Sequence, residues 1–244
     1  MIFVIVSVFM VISLSVFPYL FFTDYTLPET LVGYFQEGFE YLYYLIVFSA
    51  TFFFGGIICE EYDYKTGYLT FPVINKYKLT YSKFLCHFIM VLSILGVFYL
   101  TLGIAGALFY TVSVPVEYYL SFGYGLIFTL AVSCVVTFFS SFLKNVSITI
   151  VTSLIVLLIA ENLISFLISP DIFIEPLYSL NYLSTPIYYV LNFPDPRYYT
   201  YYRGGAVRTY WLSPTIEAGL LILFSYMAVF FVLSLVIFKR RQLK

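Results

Sequence analysis

Charge is the scarcest property of this 244-residue chain: Asp, Glu, Lys and Arg together make up 10% of it, against about 25% in an ordinary soluble domain. The charge present nearly cancels, 12 Lys and Arg against 13 Asp and Glu, which leaves no basic excess for nucleic acid and excludes nucleic-acid binding as a main role. The single histidine, His87, stands beside one of the three cysteines, Cys86, and a metal centre needs thiolates and imidazoles clustered at short spacing. No metal site is therefore expected. Cys59 and Cys134, like Cys86, lie in or at the edge of apolar runs, so no disulfide framework is legible and each is expected to be a small buried apolar group. The chain also lacks any G-x-x-x-x-G-K-[ST] phosphate loop, so it is not expected to be an enzyme that handles ATP itself.

What is present is apolar surface. The chain is 62% hydrophobic and 23% aromatic, with mean hydropathy +0.96, far from the roughly 45–50% apolar content of soluble domains. Six segments, 1–22, 41–59, 84–110, 119–143, 146–168 and 215–238, are each long and apolar enough to cross a hydrocarbon core of about 30 Å as a helix. The expected fold class is an all-α membrane protein, a single domain over 1–244 with six transmembrane helices. An even number of spans puts both termini on one side, and basic residues mark the cytoplasmic side. Lys65, Lys76, Lys78, Lys83, Lys144, Lys239, Arg240, Arg241 and Lys244 collect on one side, nine of the 12, whereas Arg197, Arg203 and Arg208 fall on the other. Both termini are thus expected in the cytoplasm. The first segment has neither a basic n-region nor a small-residue cleavage site before Pro18, so it reads as a span rather than a signal peptide.

The longest outer loop, 169–214, carries Pro170, Pro176, Pro186, Pro194, Pro196 and Pro214 among many tyrosines, including Tyr188, Tyr189, Tyr198, Tyr199, Tyr201 and Tyr202. Prolines break long helices and tyrosine suits the membrane–water interface, which predicts short helices on the outer membrane surface. On the third segment Gly96, Gly103 and Ala107 fall at helical spacing on one face, a pattern that lets helices approach closely in lipid. In the fifth, Glu161 next to Asn162 is an intramembrane carboxylate. Such a group is either a functional residue lining a path or a protonated hydrogen-bonding partner of a neighbouring helix. Glu117 and Glu217 are expected at hydrated interfaces, and the glycosylation tripeptide Asn145-Val146-Ser147 falls in a cytoplasmic turn.

The richest polar stretch joins the second and third segments. It runs Glu60-Glu61-Tyr62-Asp63-Tyr64-Lys65-Thr66-Gly67-Tyr68-Leu69-Thr70-Phe71-Pro72 and continues through Asn75, Lys76 and Lys78 to Lys83. Glu61 and Lys65 stand at i,i+4 with the acid first, and Gly67 and Pro72 offer places to turn, so a short helix followed by a bend is expected. With Glu61 leaving one span, Thr66-Gly67 a few residues on, Leu69 and Phe71 leading to Pro72, then Lys76, and Lys83 entering the next span, the chain resembles the membrane permease subunit of ABC-2 type ATP-binding cassette transporters. The six spans, the long last outer loop and the basic ending Phe238-Lys239-Arg240-Arg241 agree with that pattern. Two features depart from it: no amphipathic helix precedes the first span, and Asn75-Lys76 stands where a serine-arginine type pair is common.

The resemblance implies an exporter subunit of a prokaryotic plasma membrane, paired with a second permease half and with separate ATPase subunits that carry the ATP and Mg. This chain would bind no cofactor. The 60–83 loop would be the coupling helix, with Glu60, Glu61, Asp63, Lys65, Thr66, Gly67, Phe71, Pro72 and Lys76 as its candidates. Other readings stay open. The loop can be a solvated connector whose charges set topology, and Glu60-Glu61 matches part of the motif of intramembrane CAAX-type proteases, which also need more than one histidine. An ion- or proton-coupled carrier would use Glu161 as its titrating group, and a structural assembly factor would need no site at all.

Overall fold

A computed structural model describes residues 28–72, 75–161, 163–164, 175–203 and 206–241. The expected first span, Asn162, the end of the fifth segment beyond residue 164 and the last three residues lie outside these. The described chain is mostly helical. In order it forms α1 (Leu31–Phe39), α2 (Leu42–Phe54), α3 (Glu60–Asp63), α4 (Gly67–Thr70), α5 (Lys76–Tyr110), α6 (Val116–Phe142) and α7 (Val146–Leu154), which runs on as a π-helical stretch, Ile155–Ala160. The short helices α8 (Leu180–Ser184) and α9 (Pro186–Tyr189), strands β1 (Tyr198–Arg203) and β2 (Ala206–Trp211), and the long α10 (Ile216–Arg240) complete it.

Among the described residues α5, α6 and α10 are long and apolar enough to cross a membrane, and α7 with its π-helical extension forms a shorter apolar helix. The 35 residues of α5 span about 52 Å at 1.5 Å per residue, more than the hydrocarbon core needs. Local chemistry sets these boundaries. Asn75 accepts a hydrogen bond from the Tyr77 amide and starts α5 eight residues before the expected span, while Thr111, in the left-handed region at φ 52°, ends it. Asn145 caps α7 through the Ile148 amide, and Thr215 caps α10 through that of Ala218. Lys239 and Arg240 fall in the last turn of α10, where cations suit the helix dipole. The expected span 41–59 is shorter as a helix: α2 stops at Phe54, and the chain turns through Gly55 and Gly56 into α3.

The central element is α6, packed by α2, α5, α7, α9 and α10. A ladder of small hydroxyls along it lets neighbours come close without stranding polar groups. Thr129 donates to the Gly125 carbonyl, Ser133 to that of Thr129 and Thr137 to that of Ser133, each bond within one turn of its own helix. Against this column pack Phe128, Val132 and Val136 of α6 with Phe39, Leu42, Ile46 and Ala50 of α1 and α2, all fully buried. Helix α1 rests on α5, where a Cβ on Gly106 would come within 2.6 Å of the Phe35 ring, so only glycine permits the approach.

The segment expected to carry short helices forms two of them, α8 and α9, and they pack on the bundle. Leu180, Leu183 and Ile187 are buried, and α6 reaches up to hold them: Tyr124 donates to the Leu183 carbonyl at 2.9 Å and Ser121 to that of Ile187. Its second half is no helix. Strands β1 and β2 form an antiparallel hairpin in which Tyr199 faces Tyr210 and Arg203 faces Ala206. Tyr198, Tyr199, Thr200, Tyr201 and Tyr202 in one strand and Val207, Thr209, Tyr210 and Trp211 in the other are aromatic or β-branched, a composition that favours strands over another helix. Of the cysteines, Cys59 and Cys134 are buried as expected, whereas Cys86 sits on an exposed face of α5.

Candidate functional site

The polar loop after α2 folds into a compact knot at the end of the bundle opposite the hairpin. The chain leaves α2, and the Ile58 and Cys59 amides both donate to the Ser140 hydroxyl near the end of α6, each at 3.0 Å. One turn of helix, α3, follows. Lys65 then adopts φ 57°, a left-handed conformation that reverses the chain into α4. Gly67 begins α4 against this turn, and a Cβ there would lie 2.8 Å from the Phe71 ring and 3.1 Å from the Glu61 carbonyl.

Glu61 is the hub. Its side chain is 5% exposed and accepts from Lys83 Nζ at 2.6 Å, Thr66 Oγ1 at 2.8 Å and Thr70 Oγ1 at 3.0 Å. Burial pulls the carboxyl toward its neutral form, but the bonds from Lys83, Thr66 and Thr70 together with the Lys83 charge outweigh it and hold the group below the usual carboxylate range. The expected partner, Lys65, is exposed and points elsewhere, because the left-handed turn at that residue takes it off the helix geometry an i,i+4 pair needs. Lys83 also lies 3.7 Å from Glu60.

The other candidates tie this hub to three more helices. Asp63 accepts from the Val146 amide at 3.1 Å and from Asn145, anchoring the start of α7. Lys76 donates to the Arg241 carbonyl at 2.8 Å, and its ammonium lies 4.8 Å from the Phe71 ring and 5.2 Å from that of Phe238 at the end of α10. Arg241 stacks its guanidinium 3.8 Å from the Tyr62 ring and donates to the Ser141 and Leu143 carbonyls at the end of α6. Tyr62, Phe71 and Phe238 meet edge to face. Thus Glu61, Asp63, Phe71 and Lys76 face inward, whereas Lys65, Thr66 and Pro72 are exposed. The exposed surface also carries Tyr64 and Tyr68, 66% and 53% accessible, which the sequence reading did not single out. Their i,i+4 spacing in a polar loop was the available signal.

Glu161 and the small residues lie elsewhere. The Glu161 Oε2 accepts the amides of Leu180 at 2.9 Å and Asn181 at 3.3 Å, so this carboxylate caps the first turn of α8. Beside it Tyr43 donates to the Leu157 carbonyl within the π-helical stretch at 2.6 Å. Gly96, Gly103 and Ala107 line a cleft of about 540 Å³ between α5 and α6; Gly103 lies against the Tyr118 ring, while Gly96 faces open space. His87 meets the Phe54 ring edge-on, and its Nδ1 has no hydrogen-bond partner among the described residues. No protein-family model, curated protein or solved structure matches the chain.

Proposed function

We propose that this chain is the membrane-spanning permease subunit of an ABC-2 type ATP-binding cassette exporter. In this reading it crosses a prokaryotic plasma membrane six times with both termini in the cytoplasm. It pairs with a second permease half, and separate ATPase subunits hold the ATP and Mg. The observation that carries the reading is the Glu61 knot. A connector that only fixes topology needs basic residues and little else. Here an acidic residue is buried in the loop and bonded to α5, while its neighbours Ile58, Cys59, Asp63 and Tyr62 bond to the ends of α6, α7 and α10. A load applied to the exposed Tyr64–Tyr68 surface therefore reaches four helices at once. That is the behaviour required of a part that converts closure of an ATPase pair into a shift between inward-open and outward-open states.

The basic residues concentrated at this end support a cytoplasmic placement, and the missing phosphate loop supports ATP binding on a partner. The ion-coupled alternative would use Glu161, and its bonds to the Leu180 and Asn181 amides support a structural role for it. The test is isolation of the complex under mild detergent from cells expressing the tagged chain at native level. An ATPase with a phosphate-loop motif should accompany it in stoichiometric amount. Recovery of the chain without any ATPase, together with full transport competence in reconstituted vesicles lacking ATP, would overturn the reading.

A further inference from the structure

At the opposite end of the bundle, where α1 meets α2 beneath α8 and α9, lies a half-enclosed hollow of about 280 Å³. The residues lining it include Tyr41, Tyr43, Tyr44 and Tyr188 together with Glu40 and Asn181. Glu40 sits in the break between the two helices and is exposed. No ion pair to Glu40 is seen among the described side chains, which do not include those of Arg203 and Arg208. Arg197, a cation of the same end, is held by Glu175 at 3.3 Å. The hollow thus brings one carboxylate residue together with several tyrosines.

We propose that this hollow binds a quaternary ammonium group. Ring faces attract cations through their quadrupole, most effectively when the cation is weakly hydrated, and aromatic cages with a nearby carboxylate are the usual receptors for alkylated ammonium. A hard metal ion is a poor match, because it needs about six oxygen ligands at close range and Glu40 is the one acidic residue among those lining the hollow. A strongly hydrated primary ammonium would need several acceptors to replace its water. The volume is slightly under the roughly 300–1,000 Å³ of drug-sized pockets, which restricts the occupant to a small cation or to one headgroup of a larger molecule. Burial first, then Tyr189, Tyr210 and the Glu40 charge, hold the Tyr188 phenol above its ordinary value, so that ring stays neutral beside the carboxylate. The proposal concerns binding by this chain alone and does not rest on the transport reading.

The test is equilibrium dialysis of the purified full chain, in a detergent free of choline groups, against radiolabelled choline. Saturable binding is expected, displaced by tetramethylammonium and not by equimolar sodium. Glu40→Gln and Tyr44→Leu should each weaken it tenfold or more, with Tyr44→Phe close to wild type. Both side chains are exposed, so the variants should keep the wild-type elution profile and melting midpoint. Absence of saturable binding, equal displacement by sodium, or an unaltered Glu40→Gln variant would each overturn the assignment. Repeating the measurement in nanodiscs separates the sources of the group. Suppression of choline binding in phosphatidylcholine discs, but not in phosphatidylglycerol discs, identifies a lipid headgroup as the occupant, and equal binding in both identifies a free solute.

Discussion

Lys83, on the second turn of α5, reaches back over 22 residues to place its ammonium 2.6 Å from the Glu61 carboxylate. The pair closes the loop that carries α3 and α4 and binds it to the longest helix. Its energetics follow from its asymmetry. The Glu61 side chain is 5% exposed and that of Lys83 26%, so the acid has lost most of its water and depends on its three donors, whereas the base retains contact with solvent. Removing the base strands a buried charge; removing the acid frees a half-exposed amine.

Lys83→Met should therefore destabilise the protein more than Glu61→Gln, which leaves a neutral acceptor for Thr66 and Thr70. Roughly 3 kcal/mol is expected for the former and about 1–2 kcal/mol for the latter. The double variant should cost less than the sum. Thermal unfolding in detergent at pH 7 measures this. A pH series adds a signed test. The folded-state value of Glu61 is depressed, so its contribution is fully present above the ordinary carboxylate value of 4.5 and is lost as pH falls through the lower folded value. The gap between wild type and Glu61→Gln should accordingly be flat from pH 7 to 5 and narrow below 4.5. A gap that is constant down to pH 3, or no gap at pH 7, would remove Glu61 from the hub.

The exposed face of the loop makes the opposite demand. Tyr64 and Tyr68 contribute little burial within the chain, so Tyr64→Ala with Tyr68→Ala should leave the unfolding free energy within about 0.5 kcal/mol of wild type. If an ATPase subunit docks here, two exposed aromatics are the residues most apt to carry the contact, at about 2 kcal/mol or more each. Co-purification of the ATPase should fall at least tenfold, and ATP hydrolysis by the assembled complex should lose its response to substrate. Unchanged recovery of the ATPase would move the docking surface away from this loop.

Much of the helical frame was legible from hydropathy. The segments expected at 84–110, 119–143 and 215–238 contain the cores of α5, α6 and α10, because long apolar runs have few alternatives to a helix in lipid. Boundaries set by polar caps were less so: Asn75 and Lys76 look like loop residues until the Asn75 side chain meets the Tyr77 amide. The Glu61–Lys83 pair was not legible at all. Residues 22 apart become neighbours only once the chain reverses at Lys65, and a lysine with positive φ has no signature in composition. The hairpin was different, since a Gly-Gly pair between segments rich in aromatic and β-branched residues is a hairpin signal in the sequence, but the nearby prolines pointed to short helices. For Glu161 the sequence left a path-lining role and a bond to a neighbouring helix both open; that its carboxylate meets the first turn of α8, 19 residues away, depended on α8 folding into the bundle.

Glu161 gives the last test, because a cap and a proton carrier respond differently to an uncharged near-isostere. Its Oε2 receives two amide protons from α8, a job that a glutamine carbonyl oxygen can still do. Glu161→Gln should lower stability by no more than about 1 kcal/mol. Glu161→Leu leaves the Leu180 and Asn181 amides buried without an acceptor and should cost roughly 2–4 kcal/mol. Hydrogen exchange on α8 resolves the difference locally: amides 180–184 should stay protected in the Gln variant and exchange at least tenfold faster in the Leu variant, with α10 unaffected. Transport should follow the same order, near normal with Gln and reduced with Leu. A Gln variant that assembles and keeps α8 protected yet loses transport, while the wild-type rate titrates with pH and the variant does not, would identify Glu161 as a proton-carrying group and shift the functional assignment to an ion-coupled carrier.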